Sequence, residues 1–157
     1  MAIPLINKDA RNIKFFWNIG AKVGAKAPNK LVDVQLVQLG YHCMFRSPVN
    51  AGRLTAAEAE ALGNIKPGPA CTGAESDPLV RAIRAHEASR GGTQDGFVSE
   101  LAQGHLAYVS TSGKLALILV ALNNSIKDIL GDKYPRIDLH PACPGDLKAV
   151  AEACFNK

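Results

Sequence analysis

The sequence has no apolar run long enough to cross a membrane. The run from Leu115 to Leu122 is only eight residues long, whereas a transmembrane helix needs about 20 apolar residues. The N-terminus also lacks the basic leader, apolar segment and small-residue cleavage site of a secretory signal peptide. We therefore expect synthesis in the cytoplasm and no membrane span. Delivery to the periplasm by a leaderless route stays open.

Cysteine pairs at metal-binding spacing are also absent. The sequence contains no Cys-x-x-Cys motif, and no histidine completes the spacing of a zinc site. We expect neither a metal nor another cofactor, and we interpret the thiols as free and buried. If the protein reaches an oxidising compartment, disulfides stay open, with three connectivities for four cysteines. The four cysteines are Cys43, Cys71, Cys143 and Cys154.

No catalytic constellation is recognisable. The four histidines stand in four different predicted elements, and His140 lies near Cys143 along the chain. A Cys-His pair needs contact in space and an activated thiol, so this proximity is a weak signal. Four carboxylates are candidates for a glycosidase pair, but their spacing supports no pair among them. These carboxylates are Glu58, Glu60, Glu87 and Glu100. We therefore expect a protein that is not an enzyme.

Charge gives no argument for nucleic acid binding. The formal net charge is only +4 at pH 7, and the basic residues are scattered along the 157-residue chain. Aromatic residues make up 6% of the sequence, with a single tryptophan. The length suits one domain with a real core and counts against a multi-domain enzyme.

The clearest helix signal lies in residues 28–44. Asn29 is a favourable N-cap, and Asp33 places negative charge in the first turn. Leu31, Val34 and Val37 fall on one face of the helix. A broad apolar stripe of this kind predicts a helix inside a domain.

Motifs before, within and after this helix resemble those of a known family. Val23-Gly24, Asn29, Asp33-Val34 and Val37-Gln38 match its first part, and Ala82-Ile83 and Asp95-Gly96 match the rest. The segment resembles the small peptidoglycan-binding-like helical domains of phage tails and contractile secretion systems such as type VI. The resemblance covers about residues 18 to 125 with gaps.

The resemblance weakens at one position. His86-Glu87 stands where the family usually has Phe-Gln. This change marks either a site or an exposed helix turn, and we expect exposure because charged residues are mostly solvated.

The rest of the chain is interpreted around this core, as one domain. Thr55 and Glu58 form a capping box that predicts a helix from Ala56 to Leu62, and Ser76 is the predicted cap of the next helix. Phe97-Val98 is predicted to pair with residues 106–109 as a hairpin. A second strong helix is predicted from Lys114 to Leu130, reaching a polar surface at Asn123-Asn124, and Asp146 caps a final one. The three segments are 1–27, an extended lead-in, 28–130, the peptidoglycan-binding-like core, and 131–157, a connector with a C-terminal helix.

The fold expected from these patterns is mainly α: a small helical bundle of the peptidoglycan-binding-like type, with a short β-hairpin and an added C-terminal helix. The resemblance implies a non-catalytic module that binds bacterial cell-wall peptidoglycan, or a docking component of a secretion or phage-like particle. Its ligand-binding candidates are Arg46, Asn50, His86 and Gln94.

Two other function classes stay open. One is a protein-protein interaction protein, such as an adaptor, immunity protein or structural subunit. The other is a small cell-wall hydrolase, with Glu87 and Cys143 as the residues to test. The partner is then peptidoglycan or a bacterial protein, and the sequence leaves the oligomeric state open.

Overall fold

Helices dominate the part of the chain that the computed structural model describes, residues 2–6, 15–101 and 118–156. The expectation of a mainly helical protein is confirmed at this level. The predicted helix from Lys114 is seen from Ile118 onward, and its first four residues lie outside the described ranges. The five α-helices of the described ranges are α1 (Leu31–Arg46), α2 (Ala56–Gly63), α3 (Pro78–Ser89), α4 (Ile118–Leu130) and α5 (Gly145–Phe155).

The same described ranges contain four short strands, which form two antiparallel pairs. Strand β1 (Ile3–Ile6) pairs with β2 (Phe15–Asn18), and β3 (Val23–Gly24) pairs with β4 (Phe97–Val98). The partner that the structure shows for Phe97–Val98 is therefore β3. The hairpin partner predicted at residues 106–109 lies outside the described residues. The β3–β4 pair joins the N-terminal segment to the turn that follows α3.

Helix α1 lies at the centre of the molecule, since every residue from Asp33 to Tyr41 is buried. It crosses α4 at Gly40, where a β-carbon would lie 2.6 Å from the β-carbon of Leu122. Real β-carbon contacts are not this short, so the two helices have room only for hydrogen at position 40. The crossing therefore depends on a glycine inside a helix, where glycine is otherwise unfavourable.

Two buried amides extend from α1 to its neighbours. Gln35 donates to Asp146 Oδ2 (2.9 Å) and accepts from the Leu147 N–H (3.0 Å), which ties it to the start of α5. Gln38 donates to the Pro69 carbonyl (2.8 Å) and accepts from the Gly68 N–H (2.9 Å). Buried polar groups of this kind are stabilising only when their hydrogen bonds are satisfied. Gln35 and Gln38 thereby fix the final helix and the α2–α3 loop against α1.

Asn123 is buried and makes four hydrogen bonds to other groups. It is not the polar surface residue that the sequence predicted. Its Oδ1 accepts from the Trp17 N–H and the Tyr134 hydroxyl, both at 2.8 Å. Its Nδ2 donates to the carbonyls of Trp17 (2.9 Å) and Leu119 (2.8 Å). All four hydrogen-bonding positions of the amide are filled. Of the two asparagines, only Asn124 is exposed.

Three predicted helix caps were wrong, while the Thr55–Glu58 capping box was confirmed. Helix α1 begins at Leu31, so Asn29 does not cap it. Helix α3 is capped by Asp77, whose side chain accepts from the Leu79 N–H at 2.8 Å, and not by Ser76. Pro144 precedes α5, and the Asp146 carboxylate bonds to Gln35. Asn29 and Asp146 have partners from other elements, which local patterns do not reveal.

Within the described ranges, no helix has both the length and the apolar character that a membrane span requires.

Replacing Gly40 with alanine should destabilise the protein by up to about 2 kcal/mol. The methyl group overpacks the α1–α4 crossing, which costs roughly 1–3 kcal/mol, against a gain in helix propensity of about 1 kcal/mol. Urea denaturation measures the change. Gly145→Ala is the matched control, because Gly145 has open space around it and an ordinary φ.

A double-mutant cycle assigns the effect to the crossing. In a Leu122→Gly background the β-, γ- and δ-carbons that press on position 40 are all gone, so Gly40→Ala should cost less than it does alone. Equal costs in both backgrounds would contradict a clash with Leu122.

Candidate functional site

The four predicted ligand-binding residues do not lie together on one groove. Arg46 is exposed at the end of α1, where its guanidinium lies 3.1 Å from Nδ1 of His42. Asn50 is half-buried and donates to the Met44 carbonyl and to Ser125 Oγ, both at 3.3 Å. Gln94 is exposed before β4, and its backbone carbonyl accepts from Arg84. None of these residues lines the grooves described below.

His86 and Glu87 are buried, so the expectation of an exposed helix turn was wrong. His86 is 1% exposed and Glu87 is 7% exposed. Both lie on the side of α3 that faces the core, where α1, α2 and the turn before β4 meet. His86 therefore cannot contact a ligand at the surface in this conformation. The sequence places a titratable pair on an amphipathic helix, and only the packing shows which way the pair faces.

A groove lies at the Asp95–Gly96 turn, which we call the turn groove. It has a volume of about 290 Å³. Lys22 lies over the ring of Phe97, with its ammonium 4.4 Å from the ring centroid. Arg84 is ion-paired to Glu75 at 2.8 Å. The charged and aromatic side chains that line the groove are Lys22, Lys26, Glu75, Arg84, Asp95 and Phe97.

The floor of the turn groove is held by Gly24 and Gly96. The Ala25 N–H donates to the Gly96 carbonyl at 2.8 Å, and a β-carbon at Gly24 would overlap that carbonyl oxygen. Gly24 has φ +126° and Gly96 has φ +77°, a region that favours glycine. Asn29 fixes Gly24 from the other side, accepting from its N–H (2.7 Å) and donating to its carbonyl (2.9 Å).

Glu87 lies directly beneath this turn. Its Oε2 accepts from the Gly96 N–H at 2.9 Å, and the Asp95 carboxyl is close enough to interact with it. Burial, and after it the neighbouring Asp95 carboxyl, raises the pKa of Glu87 to about 7, while the Gly96 N–H and the Arg84 charge oppose the rise. The protonation state of Glu87 therefore changes near neutral pH.

A second buried carboxylate, Glu58, contacts His86. Its Oε2 accepts from the N–H and hydroxyl of Thr55 (2.9 and 3.1 Å), and its Oε1 accepts from Ser89 Oγ at 2.6 Å. Burial alone would raise the pKa of Glu58, but these hydrogen bonds and the charge of His86 bring it below its ordinary value. The sequence identified Glu58 as a cap and missed its tertiary role, because Ser89 and His86 belong to a different helix.

His86 and Tyr41 complete this buried cluster. Nδ1 of His86 lies 3.3 Å from Glu58 Oε1, but the contact is too poorly aligned for a hydrogen bond, and this nitrogen has no such partner among the described residues. Burial and the Arg90 charge lower the pKa of His86. The Tyr41 hydroxyl is likewise without a hydrogen-bond partner in the described ranges. Its ring meets the imidazole edge-on, with centroids 5.7 Å apart.

The thiol that contacts His140 is Cys43, not Cys143. Cys43 Sγ lies 3.6 Å from His140 Nε2, and His140 Nδ1 accepts from the Ala142 N–H at 3.0 Å. A neutral imidazole that accepts at Nδ1 carries its proton on Nε2, so it cannot take a proton from Cys43. Burial also raises the pKa of both thiols to about 12. This arrangement is not that of an activated nucleophile.

The carboxylates do not form a glycosidase pair at a surface. Glu58 and Glu87 are buried, whereas Glu60 and Glu100 are exposed. None of the four lines the three grooves. Across the described ranges, no group of three or more His, Cys, Asp or Glu side chains is arranged to hold a metal ion.

A second groove runs between α2 and the start of α3. It has a volume of about 460 Å³ and borders a smaller hollow of about 160 Å³. Lys66 and Arg81 are its charged lining residues, and Asn64 lies beside them. This groove is also cationic, which makes it a matched comparison for the turn groove.

Comparisons of the chain with protein-family models, with curated proteins and with solved structures gave no match. The function must therefore be argued from the site itself.

Replacing Glu87 with glutamine should remove a pH-dependent loss of stability. A folded-state pKa of about 7 lies above the ordinary 4.5, so the folded protein binds more protons between these values. The free energy of unfolding therefore falls as the pH rises from about 4.5 to about 7. Glutamine keeps an oxygen for the Gly96 N–H and carries no charge. Relative to wild type, it should gain about 1–3 kcal/mol at pH about 8 compared with pH about 4.5.

Urea denaturation of both proteins at the two pH values measures this gain. His86, with its lowered pKa, contributes the opposite slope below pH 6.5, but it is present in both proteins and drops out of their difference. Glu60→Gln, at an exposed carboxylate, is the control and should show no such gain. A difference between wild type and Glu87→Gln that is the same at both pH values would show that Glu87 does not titrate as described.

Proposed function

We propose that this chain is a non-catalytic binding module for bacterial cell-wall peptidoglycan and that it uses the turn groove. The observation that carries the proposal is the lining of this groove. Lys22, Lys26 and Arg84 line the groove together with Phe97, next to the β3–β4 pair. Rigid scaffolds that present polar groups on loops are typical of binding sites.

The resemblance to peptidoglycan-binding-like domains supports the proposal through residues that meet in space. Val23-Gly24 pairs with the strand that follows Asp95-Gly96. Asn29 binds both backbone groups of Gly24, and Asp33 accepts from the Gly20 N–H at 3.1 Å. These motif residues thus have one structural role in common: they hold the loops around the groove.

The chemistry of the wall fits a cationic groove. The stem peptides of peptidoglycan carry carboxylates, and Lys and Arg bind carboxylates through charge-assisted hydrogen bonds. Phe97 adds an apolar surface beside Lys22. The ligand contacts proposed here are Lys22, Lys26 and Arg84, in place of the buried His86. A wall ligand lies outside the cytoplasm, so the proposal includes delivery of the protein to the periplasm.

Docking of a bacterial protein is the second candidate function. Among the described residues, four large apolar side chains are at least 40% exposed: Leu31, Phe45, Val49 and Leu139. Phe45 and Val49 follow one another closely at the end of α1, next to Arg46. Exposed apolar groups of this kind suit a protein interface better than a glycan.

Reversing two charges in the turn groove should weaken wall binding. In Lys22→Glu/Lys26→Glu, two favourable contacts with carboxylates become repulsive. We expect about a tenfold loss of affinity, since two exposed charge pairs together contribute roughly 1.4 kcal/mol. Co-sedimentation with purified peptidoglycan sacculi, at low and moderate salt, measures the affinity. Wild-type protein should pellet at both salt concentrations.

Lys66→Glu/Arg81→Glu is the matched control, because it makes the same charge change in the second groove. It should pellet like wild type. An equal loss in both variants would mean that overall charge drives pelleting, and a loss only in the control would move the site to the second groove. Wild-type protein that stays in the supernatant would favour protein docking.

A further inference from the structure

The carboxyl of Glu87 is buried beneath the turn groove, beside the carboxyl of Asp95. Asp95 lines the groove, while Glu87 lies beneath it and is 7% exposed. The Asp95 carboxyl is close enough to interact with Glu87. Glu87 accepts from the Gly96 N–H (2.9 Å), and Asp95 accepts from the Phe97 N–H (3.2 Å). A buried carboxyl beside a second carboxyl holds its proton more tightly than an isolated, exposed carboxyl does.

We propose that a proton held on Glu87 against Asp95 sets the charge of the turn groove, so that the groove binds carboxylate ligands more tightly in acidic than in alkaline solution. This inference rests on the proposed function, because it concerns the regulation of the same groove.

The charges around the groove give the direction of the effect. Three cations line it, Lys22, Lys26 and Arg84, together with two anions, Glu75 and Asp95. The groove is therefore net positive while Glu87 is neutral. Loss of the Glu87 proton adds a third negative charge next to Arg84 and cancels the net positive charge. An anionic ligand then meets less attraction.

The other titratable groups that face Glu87 do not supply the same switch. Tyr41 on α1 has a pKa raised well above its ordinary value, chiefly by burial, so it stays neutral. Glu58 on α2 has a lowered pKa and stays charged near neutral pH. His86 has a lowered pKa, and Arg90 at the end of α3 is permanently charged. Glu87 alone in this group has a pKa moved to about 7, and ligand binding should raise it further by reciprocity.

The Gly96 amide reports on the proton directly. Because its N–H donates to Glu87, its ¹H and ¹⁵N shifts in the full chain should titrate with a midpoint near 7 in wild type and not in Glu87→Gln. This measurement needs no ligand. A Gly96 amide that does not titrate between pH about 5 and about 9 would overturn the inference.

Binding is then measured with N-acetyl-D-alanyl-D-alanine, a soluble carboxylate peptide, from the shifts of the Gly96 and Phe97 amides. Affinity should be about threefold or more higher at pH about 6 than at pH about 8 in wild type and in the control Glu60→Gln. In Glu87→Gln it should stay at the acidic level throughout. Equal affinity at both pH values in wild type, or no binding at either, would overturn the inference. A pH dependence that survives in Glu87→Gln would assign the switch to His86 instead.

Sacculi are pelleted in parallel at the same two pH values. Protein that stays in the supernatant when the sacculi are pelleted, together with pH-dependent peptide binding, would refute the proposed wall function and leave the proton switch standing. If the protein pellets with the sacculi, and neither pelleting nor peptide binding depends on pH, the proton switch is refuted and the proposed wall function stands.

Discussion

A contact between two backbones, at Gly24 and Gly96, joins the N-terminal segment to the turn after α3. A side chain at Gly24 would overlap the Gly96 carbonyl, and both residues have positive φ. Asn29 holds Gly24 and Glu87 holds Gly96, each through backbone hydrogen bonds. The β3–β4 pair and the turn groove both depend on this junction. Its rigidity comes from satisfied buried hydrogen bonds, since an unpaired backbone group there would be costly.

The core carries more polar groups than its helices suggest. Gln35, Gln38 and Asn123 satisfy their amides across elements, and Glu58 accepts three hydrogen bonds. Buried polar groups that are fully paired favour one arrangement of the chain over its alternatives, because any shift leaves them unsatisfied. Glu87 differs in that a second carboxyl lies beside it. Its protonation state is therefore linked to the geometry of the turn.

Buried residues form the scaffold of this protein, and exposed residues form the proposed binding surface. The helices supply the buried side chains that fix the loops, and the exposed cations Lys22 and Lys26 lie on the segment that the junction holds in place. Binding through such a groove needs no activated nucleophile, and the buried Cys43 and its imidazole partner do not provide one. Electrostatic attraction then governs which ligands enter, and it responds to both salt and protonation.

The sequence by itself determined the features whose causes lie within a few residues. The Thr55–Glu58 capping box starts α2 where it was predicted, and the apolar spacing placed α1 and α3 close to their observed ranges. Only the tertiary structure decided the roles of Asn29, Glu87 and Asn123. Their partners are Gly24, Gly96 and Trp17, and the orientation of His86-Glu87 depended on which face of α3 packs inward. Amphipathic periodicity indicates that a helix has a buried face, but a charged pair at its margin is assigned to core or solvent only by the elements that cover it.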